Sequence, residues 1–106
     1  MNISVILNEA NKAANDAQND YLAQYGEQAY CGFAWVDVYV DRVNSKEANV
    51  LKDIGFKKDY RPKVLNLWSP GNYRGQSMDI LYAGAQAFAK VLRMHGFKAY
   101  AGSRAD

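Results

Sequence analysis

Cysteine, histidine and proline are scarce in this chain of 106 residues, which has one Cys (Cys31), one His (His95) and two prolines. A single cysteine excludes an intrachain disulfide, and one Cys with one His excludes a zinc site built from those ligands. No run approaches the eighteen or so apolar residues of a membrane span, and the start Met1-Asn2-Ile3-Ser4 has neither a basic nor an apolar leader segment. The expectation is a cytoplasmic protein with no membrane partner. Net charge is also small: thirteen Lys plus Arg against eleven Asp plus Glu leave +2, and the basic residues are scattered. Extended nucleic acid is therefore not an expected partner. With no repeat, linker or low-complexity tract, and 49% hydrophobic against 23% charged residues, one folded domain over 1–106 is expected.

The excess lies in rings: two Trp, eight Tyr and four Phe. Where they point depends on the secondary structure. Ile3, Ile6, Leu7, Ala10, Ala14, Ala17, Tyr21 and Leu22 recur at helical spacing, so residues 1–25 contain an amphipathic helix ending before Gly26. Its stripe is alanine-rich, which suits a lid or a subunit contact. The run from Tyr30 to Val40 is a strand, with Ala34, Val36, Val38 and Val40 on an apolar face and Phe33, Trp35, Asp37 and Tyr39 on the other. Asn44-Ser45-Lys46-Glu47 reads as a capping box with Asn44 at the cap, opening a short helix that stops at Gly55. After a charged turn, 57–62, a second strand covers 63–68, with Leu65 and Leu67 facing one way and Val64, Asn66 and Trp68 the other. Ser77 caps a third helix from Met78 to about His95, with Asp79 and Arg93 placed as the helix dipole prefers. Residues 97–101 form a third strand and 102–106 a tail. The order αβαβαβ predicts an α/β (or α+β) fold, a small three-stranded sheet covered by helices. Parallel crossovers are one arrangement and a mixed sheet the other.

Parallel strands would bring Asp41-Arg42, the loop 73–77 and the tail 103–106 to one edge, where open α/β sheets bind ligands. In that loop Arg74, Gln76 and Ser77, with Gly75 leaving the backbone open, supply what a phosphate needs at a helix N-terminus; plain capping by Ser77 is the competing reading. Trp35, Trp68 and Tyr73 could stack on a base while Asp37 accepts from its exocyclic amine. Alternatively the two Trp fill the space between sheet and helix, and Asp37 pairs with Arg42 or Lys63. Cys31 could act as a nucleophile only with His95, which parallel strands would place at the same edge. Asp37 and Asp41 stand about 13 Å apart along an extended strand, beyond the reach of one acid/base pair or one metal ion. No metal or other cofactor is expected.

The string Tyr30-Cys31-Gly32-Phe33-Ala34-Trp35-Val36, the step Gly75-Gln76-Ser77, the run 85–93 and the ending Ala99-Tyr100-Ala101-Gly102-Ser103-Arg104-Ala105-Asp106 together resemble a family of small tailed-bacteriophage proteins, over about residues 29–106. The resemblance implies a phage origin and carries no reaction, cofactor or catalytic residue. Small phage proteins without catalytic motifs often disarm the host. The resulting expectation is a non-enzymatic protein that sequesters a small phosphate-bearing molecule, a nucleotide immune signal of the host, within a homo-oligomer. Arg74, Gln76, Ser77, Ser103 and Arg104 would hold phosphate or ribose, and Trp35, Asp37, Trp68 and Tyr73 the base. The alternatives are an inhibitor that binds a host protein through exposed Tyr and Trp, and an enzyme using Cys31.

Overall fold

The computed structural model describes residues 2–27 and 31–106. Tyr30, where the first strand is expected to begin, lies outside them. The elements are α1 (Ile3–Tyr25), β1 (Gly32–Tyr39), α2 (Lys46–Ile54), β2 (Lys57–Lys58), β3 (Val64–Trp68), α3 (Met78–Met94) and β4 (Lys98–Ala105). The fold is α+β: three helices and a four-stranded sheet ordered β2-β3-β1-β4. Every neighbouring pair is antiparallel.

The parallel arrangement considered from sequence is thus replaced, and β2 supplies the reason. This two-residue strand, read from sequence as a charged turn, takes the outer edge beside β3. Helix α2 therefore joins β1 to β2, and α3 joins β3 to β4. In each case the joined strands run parallel but have an oppositely directed strand between them. The connectivity is that of two interlocked βαβ units, the ferredoxin-like arrangement, preceded by α1. Strand β4 is also longer than the sequence indicates. Residues 102–105, read as a tail, pair along the start of β1, with Arg104 opposite Phe33.

All three helices cover one face of the sheet. Burial along β1 alternates residue by residue, with Ala34, Val36 and Val38 fully enclosed beneath the helices. Ser45, not Asn44, caps α2, because its Oγ accepts from the Ala48 amide at 3.2 Å. The alanine stripe of α1 packs into the core: Ala10 and Ala14 are fully buried with Leu81, Ala85 and Phe88 of α3. Gln18, 3% exposed, continues that stripe. Its amide nitrogen donates to the Pro70 carbonyl (2.9 Å), and its oxygen accepts from the Tyr73 amide (3.2 Å), which fastens the β3–α3 loop to α1.

Candidate functional site

The face of the sheet turned away from the helices carries the aromatic excess. Strand alternation places Phe33, Trp35, Asp37 and Tyr39 of β1 on it. Register then adds Trp68 and Asn66 of β3 opposite Trp35 and Asp37, and Tyr100, Gly102 and Arg104 of β4 opposite Asp37, Trp35 and Phe33. The Trp35 and Trp68 rings lie 4.8 Å apart at 30°, and Phe33 meets Trp68 edge-on at 5.9 Å. Trp68 remains 47% exposed. Trp35 is half-buried because its indole lies over Gly102, where a Cβ would approach within 2.6 Å of ring carbon Cε2. At the other end of the face Tyr39 and Tyr100 meet edge-on at 6.2 Å.

Asp37 sits between these two groups of rings. One of its oxygens accepts from Arg61 at 3.0 Å, and the other, Oδ1, is buried without a hydrogen-bond partner. Arg61 arrives from the β2–β3 turn. It also binds Asp59, whose Oδ1 accepts from the Asn66 amide at 2.8 Å, and it donates to the Tyr39 hydroxyl at 3.3 Å. The Arg61 guanidinium holds the Asp59 carboxyl below its usual range. Three guanidiniums lie against rings: Arg61 against Tyr39 and Tyr60, Arg93 against Tyr100, and Arg104 against Phe33, at 5.6 to 6.0 Å. The face therefore combines stacking surfaces with cations and one buried acceptor.

The structure divides the residues singled out from sequence. Trp35, Asp37, Trp68 and Arg104 share the open face. Ser103 lies on the same strand but, next to Arg104, points to the opposite side. The loop 73–77 folds on itself. The Tyr73 hydroxyl lies against Gly75, donates to Glu27 at 2.5 Å, and accepts from the Ser77 amide at 3.4 Å. Burial, followed by this bond to a carboxylate, raises the Tyr73 pKa. A tyrosine backed by Glu27 fills the space that the open Gly75 backbone would have offered an anion. Ser77 caps no amide with its side chain; its buried Oγ has no partner, while its backbone bridges to Cys31. Gln76 accepts from the Gly32 amide through its carbonyl. Arg74 lines a separate concavity of about 270 Å³ with Asn15, Asn19 and Asn72.

The edge at which three arginine-bearing segments were expected to meet receives two of them. The loop after β3 and the end of β4 lie together, whereas Asp41-Arg42 follows β1 to the opposite end. The same reversal separates Cys31 from His95. The helix between their ends is 17 residues long, about 25 Å, and His95 Nε2 meets Glu9 Oε1 at 2.9 Å. Sequence reasoning gave no role to Arg61, Asn66 or Tyr100. Tyr100 could have been found from alternation within the strand read over 97–101; Arg61 could not, because it reaches the sheet from a turn.

Fold and site together define a two-layer α+β domain with one sheet face open, aromatic and cationic. No family model matches the chain, and no curated protein or solved structure matches it. Among the described residues no helix is long and apolar enough to cross a membrane.

Proposed function

We propose that the open face binds a nucleotide-type ligand, stacking its base on the Trp68–Trp35 pair and holding its phosphate with Arg104. The observation that carries this reading is the contact of two indoles on a solvent-facing sheet surface, flanked by Phe33 and a guanidinium. Base stacking on aromatic side chains contributes about 1–3 kcal/mol per base. The reading is one of binding without turnover, supported by the engagement of Asp37 and Asp59 with Arg61. In a phage-derived protein, such binding would sequester a nucleotide signal of the host.

The experiment uses the molecule's own probes, because both tryptophans of the chain lie at the site. Titration with nucleoside monophosphates, cyclic dinucleotides and ADP-ribose should quench tryptophan emission saturably. Trp68→Ala should weaken the bound ligand about 5- to 150-fold, the equivalent of that stacking contribution. Absence of quenching across the series at millimolar concentration would overturn the proposal.

A second reading rests on Tyr60, 92% exposed beside Arg61. Tyr, Trp and Arg are the residues enriched at protein-binding hot spots. A host protein retained by the wild type and lost on Trp68→Ala, with no nucleotide quenching, would select it.

A further inference from the structure

Helix α1 and the β3–α3 loop enclose the concavity of about 270 Å³ that Arg74 lines, and no strand of the open face contributes to it. Its α1 wall is a single stripe, Asn15, Gln18, Asn19 and Leu22, at the three- and four-residue spacing that places side chains on one side of a helix. The opposite wall is Asn72, Tyr73 and Arg74 of the loop.

Hydrogen bonds hold the two walls together. Gln18 Nε2 donates to the Pro70 carbonyl at 2.9 Å, the Tyr73 amide donates to Gln18 Oε1 at 3.2 Å, and the Asn72 amide donates to Asn15 Oδ1 at 2.7 Å. Gly71, with φ +95°, permits this approach, because a Cβ there would collide with the Gln18 carboxamide. A segment of turn composition is thereby fixed as a wall before any ligand arrives, which lowers the entropic cost of binding.

The lining has one charge, Arg74, and no carboxylate. Arg74 makes no ion pair among the described residues. Asp16 and Asp20 fall on a different side of α1, where Asp16 binds Lys12 at 3.0 Å, and Glu27 accepts from the Tyr73 hydroxyl. Because Asn15 Oδ1 is taken by a backbone donor, its amide orientation is settled and Nδ2 is left to donate. The side-chain amides of Asn19 and Asn72 make no hydrogen bond among the described residues, so each keeps a donor and an acceptor side by side.

We propose that this concavity binds a monosaccharide phosphate. The guanidinium fork of Arg74 takes the phosphate, to which its geometry is matched. The three asparagine carboxamides take the sugar hydroxyls, which, like the carboxamides, both donate and accept. Leu22, 39% exposed, offers apolar surface to the sugar carbons. The volume falls below the roughly 300–1,000 Å³ of sites for drug-sized ligands, so it suits one phosphorylated sugar and excludes a dinucleotide. The site uses none of the rings assigned to base stacking, and its occupancy is independent of that reading.

The test is isothermal titration calorimetry with ribose 5-phosphate, glucose 6-phosphate, ribose, glucose and inorganic phosphate, on the wild type, Arg74→Gln and Asn19→Asp. Both substituted residues are exposed, and the variants should keep the wild-type thermal midpoint. At least one of the two sugar phosphates should bind ten times or more tighter than inorganic phosphate and than its own parent sugar. Arg74→Gln should weaken it about 10- to 150-fold, the loss expected for hydrogen bonds to a charged group. Asn19→Asp, which exchanges a donor for a carboxylate of the same shape, should weaken it at least tenfold, and less so at high salt. The side-chain amide signals of Asn15, Asn19 and Asn72 should shift in nitrogen–proton correlation spectra as the ligand is added. No binding of either sugar phosphate at 10 mM, or binding indifferent to Arg74→Gln, would overturn the proposal. Inorganic phosphate bound as tightly as the sugar phosphates would overturn it too, because the carboxamides would then contribute nothing. A sugar phosphate that quenches tryptophan emission and leaves the asparagine signals unmoved would place the ligand on the open face and overturn this site, whereas nucleotide quenching alone bears only on the open face. Competition with AMP distinguishes the source: displacement of the sugar phosphate by AMP, weakened in Arg74→Gln, supports the ribose phosphate of a nucleotide, and absence of competition supports a free sugar phosphate.

Discussion

Gly84→Ala should destabilise the wild-type protein and stabilise the Gln18→Ala variant. Gly84 is buried on the face of α3 turned towards α1, and the Gln18 carboxamide lies between it and Gly71. A Cβ at Gly84 would stand 2.7 Å from Gln18 Cδ and 2.9 Å from Cγ, and nearer still to Nε2. The amide would have to move. Because it is buried and holds both the Pro70 carbonyl and the Tyr73 amide, movement sacrifices two hydrogen bonds of about 1 kcal/mol each. Crowding adds about 1–3 kcal/mol. Against this stands the better helix propensity of Ala, about 1 kcal/mol, so the net loss is about 2–4 kcal/mol. When Gln18 is already Ala, the space is empty and the propensity gain of up to about 1 kcal/mol remains.

Urea denaturation of the four proteins in the cycle, followed by tryptophan emission and far-ultraviolet circular dichroism, reads both signs. In thermal melts the wild-type background should lose about 8 °C or more, at about 4–8 °C per kcal/mol for a domain of this size. The coupling energy should be at least about 2 kcal/mol. The same sign in both backgrounds would refute the reasoning, because the Gln18 amide would then not be what excludes a Cβ from Gly84.

Gly102→Ala should push the Trp35 indole off β4, since the new Cβ would meet its Cε2, Cζ2 and Nε1 within 2.7 Å; a changed tryptophan emission maximum and weaker ligand quenching are the expected readouts. The Asp59 pKa is depressed in the folded state, so its contribution to stability is complete above the ordinary carboxylate pKa of about 3.9 and is lost as pH falls towards the folded value. Asp59→Asn should accordingly flatten the decline in melting temperature below pH 4. Tyr73 has the opposite sign: its raised pKa stabilises the fold below about pH 10, and that stabilisation is lost as pH rises through the folded value. Tyr73→Phe should remove this alkaline loss, at a cost of about 1–3 kcal/mol at neutral pH for the hydrogen bonds lost to Glu27 and the Ser77 amide.

The two faces of β1 were legible because alternation over eight residues is a strong signal, and so was the end of α1, because Gly26 interrupts a long helical period. Lys57–Lys58 could not be read as a strand, since two residues carry no periodicity. Missing it left α2 apparently joining β1 to β3, and the direction of each strand followed from that error. The residues 102–105 looked like a tail because Gly102 and Ser103 are common in turns, yet Gly102 is what a strand requires where an indole lies across it. The candidate site divides in the same way. Trp35, Asp37 and Trp68 follow from local alternation, whereas the partnership of Asp37 with Arg61 depends on a turn whose destination only the folded sheet reveals. In the 73–77 loop, composition alone could not show that the Tyr73 side chain would occupy the space beside its own glycine.

The distribution of guanidiniums across the open face indicates where a base would bind. Phe33, Tyr39, Tyr60 and Tyr100 each have an arginine against the ring, and the Trp35–Trp68 pair has none among the described residues. A ring already paired with a cation gains less from a new stacking partner, because the arginine must be displaced and rehydrated. The tryptophan pair faces no such competition, and Trp68 offers its exposed surface to a planar ligand. The surrounding arginines limit the apolar area that an unoccupied face presents to other copies of the chain, and their charge favours a partner bearing phosphate. Under the proposed function one arrangement would both limit self-association and favour a phosphate-bearing ligand. If so, replacing Arg104 with Gln should weaken nucleotide binding and also increase self-association through the newly uncovered Phe33, two effects that light scattering and quenching can measure on the same sample. An Arg104→Gln protein that binds less tightly and associates no more than the wild type would separate the roles and leave the guanidinium with phosphate recognition alone.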